Sequence, residues 1–320
     1  MKVWQFSQYG APGVLALEER PLPAPGPGEV LVRILASGIN PSDVKNVGGH
    51  FKSALPRVPG RDYAGIIVAG AGREGEEVWG SAPGFGVRRD GTHAEYIVIP
   101  SAWVGRKPAS LDMAQAAAIG VPYLTAWSAL VEVGRVQAAE TVLITGVSGA
   151  VGRAATQIAH WRKARVIGAG RSEGNPSGAD AYIDTRTQDL PLAVRALTDG
   201  QGADLALDAV GGVLFEPVLN ALRKGGRQVA FASNPQVVSF NLVDFYHGLK
   251  QLLSMDSMTL TGEGAVATLE RLVPGFEAGE LTPPAIRTWP FAEAVAAYAA
   301  VAEGGVPVKH VLAMDGFTRS

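Results

Sequence analysis

The 320 residues include no cysteine. This excludes disulfides, a thiolate nucleophile, Fe–S clusters and cysteine-ligated zinc. Histidine is scarce: His50, His93, His160, His247 and His310 are widely spaced, with no HExxH or similar pairing, and no metal site is expected. An excess of one charge is also lacking, since 28 Lys+Arg against 30 Asp+Glu give a formal net charge of −2. Without a basic run, neither nucleic acid nor an anionic membrane is expected as a partner. Met1–Gly10 has polar Gln5, Ser7 and Gln8 where an export signal needs an apolar segment. The uncharged stretch Met113–Val131 holds Gln115, Gly120, Pro122, Thr125, Ser128 and much alanine. A spanning helix wants about 20 strongly apolar residues, so a buried helix broken at Gly120–Pro122 is expected instead. These features lead us to expect a soluble, cytoplasmic protein.

Glycine and proline are plentiful, at 40 and 21, and imply many tight turns. Hydrophobic residues make up 47% of the chain, enough for a large core. Up to about residue 110 the texture is β-rich, with short runs at Val30–Leu35, Tyr63–Val68 and Glu95–Ile99 separated by Pro and Gly. From about 140 to 233, strands alternate with helices. The expected strands are Thr141–Thr145, Arg165–Ala169, Ala181–Asp184, Asp204–Asp208 and Arg227–Phe231. Continuous apolar strands joined by crossover helices imply a parallel sheet covered on both faces. The remainder predicts helices over Gly264–Ala278 and Phe291–Ala302, then a strand at Lys309–Leu312.

The most informative segment is TVLITGVSGAVGRAATQIA, residues 141–159. Gly146, Gly149 and Gly152 lie between a strand and a helix with spacing G-x-x-G-x-x-G, a departure from the G-x-G-x-x-G dinucleotide fingerprint. Gly146 permits the sharp turn, Gly149 admits a pyrophosphate, and Gly152 lets the helix pack on the sheet beside Ala155 and Ala159. The helix amino terminus, with Ser148, Ala150 and Val151, offers free amides and partial positive charge to an anion. A plain tight turn is one alternative. A nucleophile elbow at Ser148 is another, although Ala150 replaces its final glycine and no partner histidine is evident.

After the second strand, an NAD site wants an acidic residue for the ribose 2′-hydroxyl. This chain has Gly170-Arg171-Ser172. A guanidinium matches a 2′-phosphate in bidentate fashion and a small hydroxyl adds a hydrogen bond, so NADPH is expected as cofactor. Thr185 and Arg186 are weaker candidates for the same rim.

The ordered set GINPSD (38–43), PGRDYAG (59–65), GTHAEY (91–96), PYLTAWSAL (122–130), GVSGAVG (146–152) and DAVGG (208–212) resembles the medium-chain dehydrogenase/reductase superfamily. More closely it is similar to the zinc-independent, zeta-crystallin-like NADPH:quinone oxidoreductase branch, over nearly the whole chain. The resemblance implies an α/β protein: a Rossmann doubly wound parallel sheet, residues 116–254, inserted into a GroES-like β-rich catalytic domain, residues 1–115 and 255–320. It also implies an interdomain cleft and a homodimer built through the nucleotide domains. Asn40, Arg61 and Val121 stand where zinc-dependent relatives place their ligands. Without a Lewis acid, substrates that already carry an electron sink are expected, namely quinones or α,β-unsaturated carbonyls taking hydride directly. By the same resemblance Asn40 lies near substrate and donates to the oxygen that becomes anionic. As a bland alternative, Asn40 is a turn residue before Pro41. Lys45 and Phe51 occupy positions where tyrosines tend to occur in the branch, leaving Lys45 to contact a ribose or the substrate oxygen. Asp43 is expected to pair with Arg61 or a backbone amide. Further cofactor contacts carried over by position are Thr125, Ala150, Val151, Val210, Phe231 and Ser233. The helix normally following Arg171 looks truncated. Rival expectations are an enoyl-thioester or alkenal reductase, and a non-catalytic NADPH-binding redox sensor.

Overall fold

A computed structural model describes residues 1–82, 84–175, 177–232, 236–305 and 307–314. The chain forms two compact units, Met1–Leu124 with Met258–Ser320, and Thr125–Ser257. In chain order the first unit opens with β1 (Lys2–Phe6), β2 (Leu15–Glu19), β3 (Glu29–Ile39), α1 (Pro41–Val47), β4 (Asp62–Ala69), β5 (Glu77–Ser81), β6 (Tyr96–Pro100), β7 (Gly105–Arg106) and α2 (Met113–Trp127). The second unit contains β8 (Thr141–Thr145), α3 (Ala150–Trp161), β9 (Arg165–Gly170), β10 (Ala181–Asp184), α4 (Leu190–Ala196), β11 (Ala203–Asp208), α5 (Phe215–Ala221), β12 (Leu222–Ala230), α6 (Leu242–His247) and β13 (Gln251–Ser254). The chain then returns to the first unit with α7 (Gly262–Glu277), β14 (Ile286–Pro290), α8 (Ala294–Glu303) and β15 (Lys309–Ala313).

In the first unit, β1 and β2 form a two-stranded antiparallel sheet, and the larger sheet among the described residues runs β14-β15-β3-β4-β5-β7, with β6 also on β3. β15 pairs antiparallel with β3, Val311 opposite Gly38, so the two ends of the chain build one sheet. Its core gathers Val30, Val32, Ile34, Tyr63, Ile67, Val78, Ile97 and Ile99 with Phe85 and Tyr298. At about 25 cal/mol per Å² of apolar surface, burying side chains of this size is the main drive for the unit to close.

The second unit is a parallel sheet in the order β10-β9-β8-β11-β12-β13. Its central strands are apolar throughout, with Val142, Leu143, Ile144, Leu205, Ala206 and Leu207 fully buried, as a sheet covered on both faces requires. The strand order reverses between β8 and β11, and ligands of open parallel sheets bind beyond the carboxyl ends at such a switch point.

The expected break at Gly120–Pro122 does not occur: α2 continues through Pro122 to Trp127 and passes into a π-helical turn at Ser128–Val133. A side chain supports the helix there. The Val121 amide donates to Asp62 Oδ1 at 2.9 Å, giving the helix a polar anchor beside the residue that has no N–H. Residues Met113–Val133 are long and apolar enough to cross a membrane by composition, and 78% of an 18-residue apolar stretch within them is buried inside the protein. It is a core helix. Proline and glycine also hid two short helices from sequence reading, α1 and α6, each introduced by an asparagine at the N-cap.

Candidate functional site

In the second unit, the carboxyl ends of β8 and β11 are tied together. Thr145 Oγ1 donates to Asp208 Oδ1 at 2.8 Å, and that oxygen also accepts the amides of Gly211 at 2.9 Å and Val210 at 3.2 Å. Gln228 Nε2 donates to the other carboxylate oxygen at 3.2 Å. Asp208 is fully buried and satisfied by its neighbours, which fixes the Val210–Gly212 loop beside the glycine loop. Sequence reading recognised DAVGG but assigned no role to its aspartate.

The glycine loop itself turns at Gly146, whose φ of +60° suits a residue without Cβ. A Cβ on Gly152 would lie 2.5 Å from the Gly146 carbonyl oxygen and 2.6 Å from Val147 Cα, so only glycine lets α3 start this close to the strand end. Ala155 and Ala159 are fully buried on the following turns. The Gly149 amide is spent on the Gly146 carbonyl at 2.9 Å, so Gly149 shapes the loop rather than lending its N–H to a ligand. No side chain caps α3, and among the described residues the first-turn amides of Ala150, Val151 and Gly152 have no acceptor. Gly149 and Ala150 are exposed, and such a helix end is a ready anion site.

Ser148 does not face a histidine. Its hydroxyl accepts from Ser172 Oγ at 3.0 Å, and among the described residues no histidine is bonded to it as the base of a nucleophile elbow would be. Ser172 is held in turn by Tyr182, whose hydroxyl donates to the Ser172 carbonyl at 2.9 Å. The neighbouring Arg171 is exposed and makes no hydrogen bond or ion pair among the described residues. Arg186, by contrast, is clasped by Asp184 at 2.6 Å, and this guanidinium holds the Asp184 carboxyl down to about 2. Among the described residues, Arg171 is thus a cation left without a partner, next in the chain to Ser172, which bonds the loop. No helix forms among the described residues of 171–180, so the segment after Arg171 is short as expected. Thr125 is buried, Val210 is 38% exposed and Phe231 half-buried. Ser233 lies outside the described residues.

A second cluster stands in the first unit. β3 lies between β15 and β4, which brings together Asn40 just past β3, Asp62 at the start of β4 and Lys309 at the start of β15. Asn40 Nδ2 donates to Asp62 Oδ2 at 2.8 Å, while Lys309 Nζ donates to Asn40 Oδ1 at 2.5 Å and to Asp62 Oδ2 at 3.2 Å. All three are buried, Asn40 at 2% exposure. The Asn40 amide N–H donates to Asp43 Oδ2 at 2.8 Å, and Asp43 Oδ1 lies 3.5 Å from Arg61 Nε. Asp43 thus pairs with both expected partners. Arg61 also contacts the Ser42 hydroxyl and the Met258 sulfur. Lys45 projects from α1 into solvent and is not part of this cluster. Asp62 and Lys309 were missed by sequence reading, because their strands lie far apart along the chain.

Close by, His93 Nε2 lies 3.3 Å from the Gly38 carbonyl, and its Nδ1 is 2.9 Å from the Tyr298 hydroxyl. A carbonyl only accepts, so Nε2 carries the proton and Tyr298 donates to Nδ1. Burial pushes the His93 imidazole below its ordinary range and the Tyr298 phenol well above its own.

Residues 26–109 match the model of the alcohol dehydrogenase GroES-like domain, and residues 150–271 that of the zinc-binding dehydrogenase. The chain is 35% identical over 290 residues to a zinc-type alcohol dehydrogenase-like protein of Schizosaccharomyces pombe, covering 88% of this chain and 86% of that protein. It is 31% identical over 310 residues to the quinone oxidoreductase of Sus scrofa, covering 93% of each. A mycobacterial structure complexed with NADPH superposes with a TM-score of 0.86 at 26% identity, covering 98% of this chain and 99% of that one. Both family models, the near full-length relatives and the paired sheets place the chain in one lineage: it belongs to the medium-chain dehydrogenase/reductase superfamily, in the quinone oxidoreductase branch.

Proposed function

We propose that this chain is a zinc-independent, NADPH-dependent reductase that passes hydride to a quinone or an α,β-unsaturated carbonyl. The observation that carries the choice of cofactor is Arg171, an exposed guanidinium without a carboxylate partner, next to the Ser172–Ser148 pair and the open amides of α3. The fit is specific: the Ala150, Val151 and Gly152 amides hold the pyrophosphate, and Arg171 with Ser172 takes the 2′-phosphate. Thr125, Val210 and Phe231 line the same nucleotide by position. The NADPH-bound structural relative supports this reading. When bound, the reduced nicotinamide supplies the hydride.

Zinc-independence is supported by the side chains themselves. Among the described residues no group of three or more His, Cys, Asp or Glu is arranged to hold a metal. An acceptor with its own electron sink then needs only a positioned donor for the oxygen that gains charge. We assign that role to the Asn40 amide, which keeps one N–H after its bond to Asp62. Lys45, exposed on α1, is proposed to contact a cofactor ribose or the substrate oxygen.

We further propose a homodimer formed by the second unit. Among the described residues β13 ends the parallel sheet with no further strand beyond it, and Leu252 on it, with Leu242, Val243 and Tyr246 of α6, is exposed. An edge strand with apolar neighbours is suited to a second copy of itself. Light scattering at micromolar concentration should give twice the chain mass, and Leu252→Lys should return it to the monomer.

The decisive experiment is a steady-state panel with 1,4-benzoquinone, a simple enone and an enoyl-CoA, each with NADPH and NADH. Turnover of the quinone or enone with preference for NADPH is expected. Selective turnover of the enoyl-CoA would make it a thioester reductase, and tight NADPH binding without turnover would make it a sensor.

A further inference from the structure

The Asn40–Asp62–Lys309 cluster is more constrained than a buried ion pair needs to be. An ammonium only donates and a carboxylate only accepts, so the Asn40 side chain has one permitted orientation, oxygen toward Lys309 and nitrogen toward Asp62. Turning the amide over would set its NH₂ group against the ammonium and its oxygen against the carboxylate. Asp62 cannot swing to relieve such a change. Its other oxygen is held by the Val121 amide at 2.9 Å, and Gly120 approaches so closely that a Cβ there would lie 2.3 Å from that oxygen. Lys309 is 5% exposed and its charge is offset by Asp62. The main-chain side of Asn40 is fixed separately by Asp43 and by Pro41 at the first helical position.

We propose that Lys309 is a positioning residue for the reduction. Its ammonium locks and polarises the Asn40 amide, so that the one uncommitted N–H is held in a single direction for the acceptor oxygen. An ammonium on the amide oxygen draws density from the nitrogen and makes the remaining N–H a stronger donor. The inference rests on the role given to Asn40 above. It assigns the chemistry at that oxygen to three residues drawn from strand ends far apart in the chain.

The test compares Asn40→Ala, the charge-neutral pair Asp62→Asn with Lys309→Met, and all three changes together. The double substitution avoids stranding a buried charge. Circular dichroism and melting report folding, calorimetry reports NADPH affinity, and kcat and KM are read with 1,4-benzoquinone. A misaligned donor should lower kcat about 10-fold or more. KM and the NADPH Kd should stay within about twofold, since neither involves the amide direction. In the triple variant the Asn40 change should then lower kcat little further, because the two act as one unit. If the folded pair keeps kcat while Asn40→Ala loses it, Lys309 is structural only and the inference is overturned. If Asn40→Ala keeps kcat, the Asn40 reading itself fails and the inference falls with it. Should the pair not fold, Lys309→Arg preserves the charge but moves its donors, and an unchanged kcat in that variant overturns the inference as well.

Discussion

Ser172 Oγ donates to Ser148 Oγ at 3.0 Å, linking the loop that begins α3 to the loop that follows β9. Through this bond, the loop proposed to grip the diphosphate is coupled to the loop proposed to read the adenosine ribose. Arg171 stands beside the link with its guanidinium open to solvent.

Replacing Arg171 by alanine should raise the KM for NADPH about 10- to 100-fold, the equivalent of roughly 1.5–3 kcal/mol for hydrogen bonds to a charged group. The KM for NADH should hardly move. Steady-state measurements with both nucleotides decide it, and a variant that retains its NADPH preference would refute the phosphate assignment.

Gly152→Ala should both destabilise the protein and weaken nucleotide binding. The added methyl meets the Gly146 carbonyl at 2.5 Å and has no flexible side chain to displace. Overpacking of this kind costs about 1–3 kcal/mol. A lower melting temperature together with a higher NADPH Kd by calorimetry is the expected outcome.

Asp208→Ala removes one acceptor from Thr145, Val210, Gly211 and Gln228 at once. Stranding several buried donors should cost roughly 3 kcal/mol or more. Denaturant titration measures this directly. Unchanged stability would mean that the switch-point loop is held by other forces.

Acid should destabilise the protein before its carboxylates titrate. The unfolded chain takes a proton on histidine near about pH 6.5. Burial holds folded His93 below that value, and His310 is lowered by burial with help from Arg287 and Lys309. The unfolded state therefore binds more protons as the pH falls below about 6.5, and stability declines from there toward the folded values. Melting temperatures recorded from pH 8 to pH 5 should fall over the lower half of that range. The slope should flatten in His93→Gln.

Chelator treatment should leave turnover intact, and added zinc should not increase it. Metal content and rate measured on the same dialysed sample provide the check. Zinc-dependent activity would overturn the proposed mechanism.

The apolar runs between Thr141 and Ala230 made the parallel sheet legible, because its central strands β8, β9 and β11 are buried on both faces and so carry their own signal. Glycine spacing likewise exposed the turn at Gly146 and the close approach at Gly152. The polar cluster of the first unit was only half visible. Asn40 could be singled out, but its partners depend on β15 pairing with β3 and on β3 pairing with β4, contacts that no local pattern encodes. The unbroken course of α2 was hidden for a similar reason, since the group that anchors it at Val121 is Asp62 on a distant strand. Asp208 read as the end of a strand, whereas its carboxylate orders two loops.

The pairing of β15 with β3 also sets a timetable for synthesis. Asn40 and Asp62 leave the ribosome early, yet their cation is residue 309 of 320. All strands of the second unit's parallel sheet precede that residue, the last ending at Ser254. The amide clamp therefore cannot close until residue 309 has been made, by which point every strand of the parallel sheet is already present in the chain.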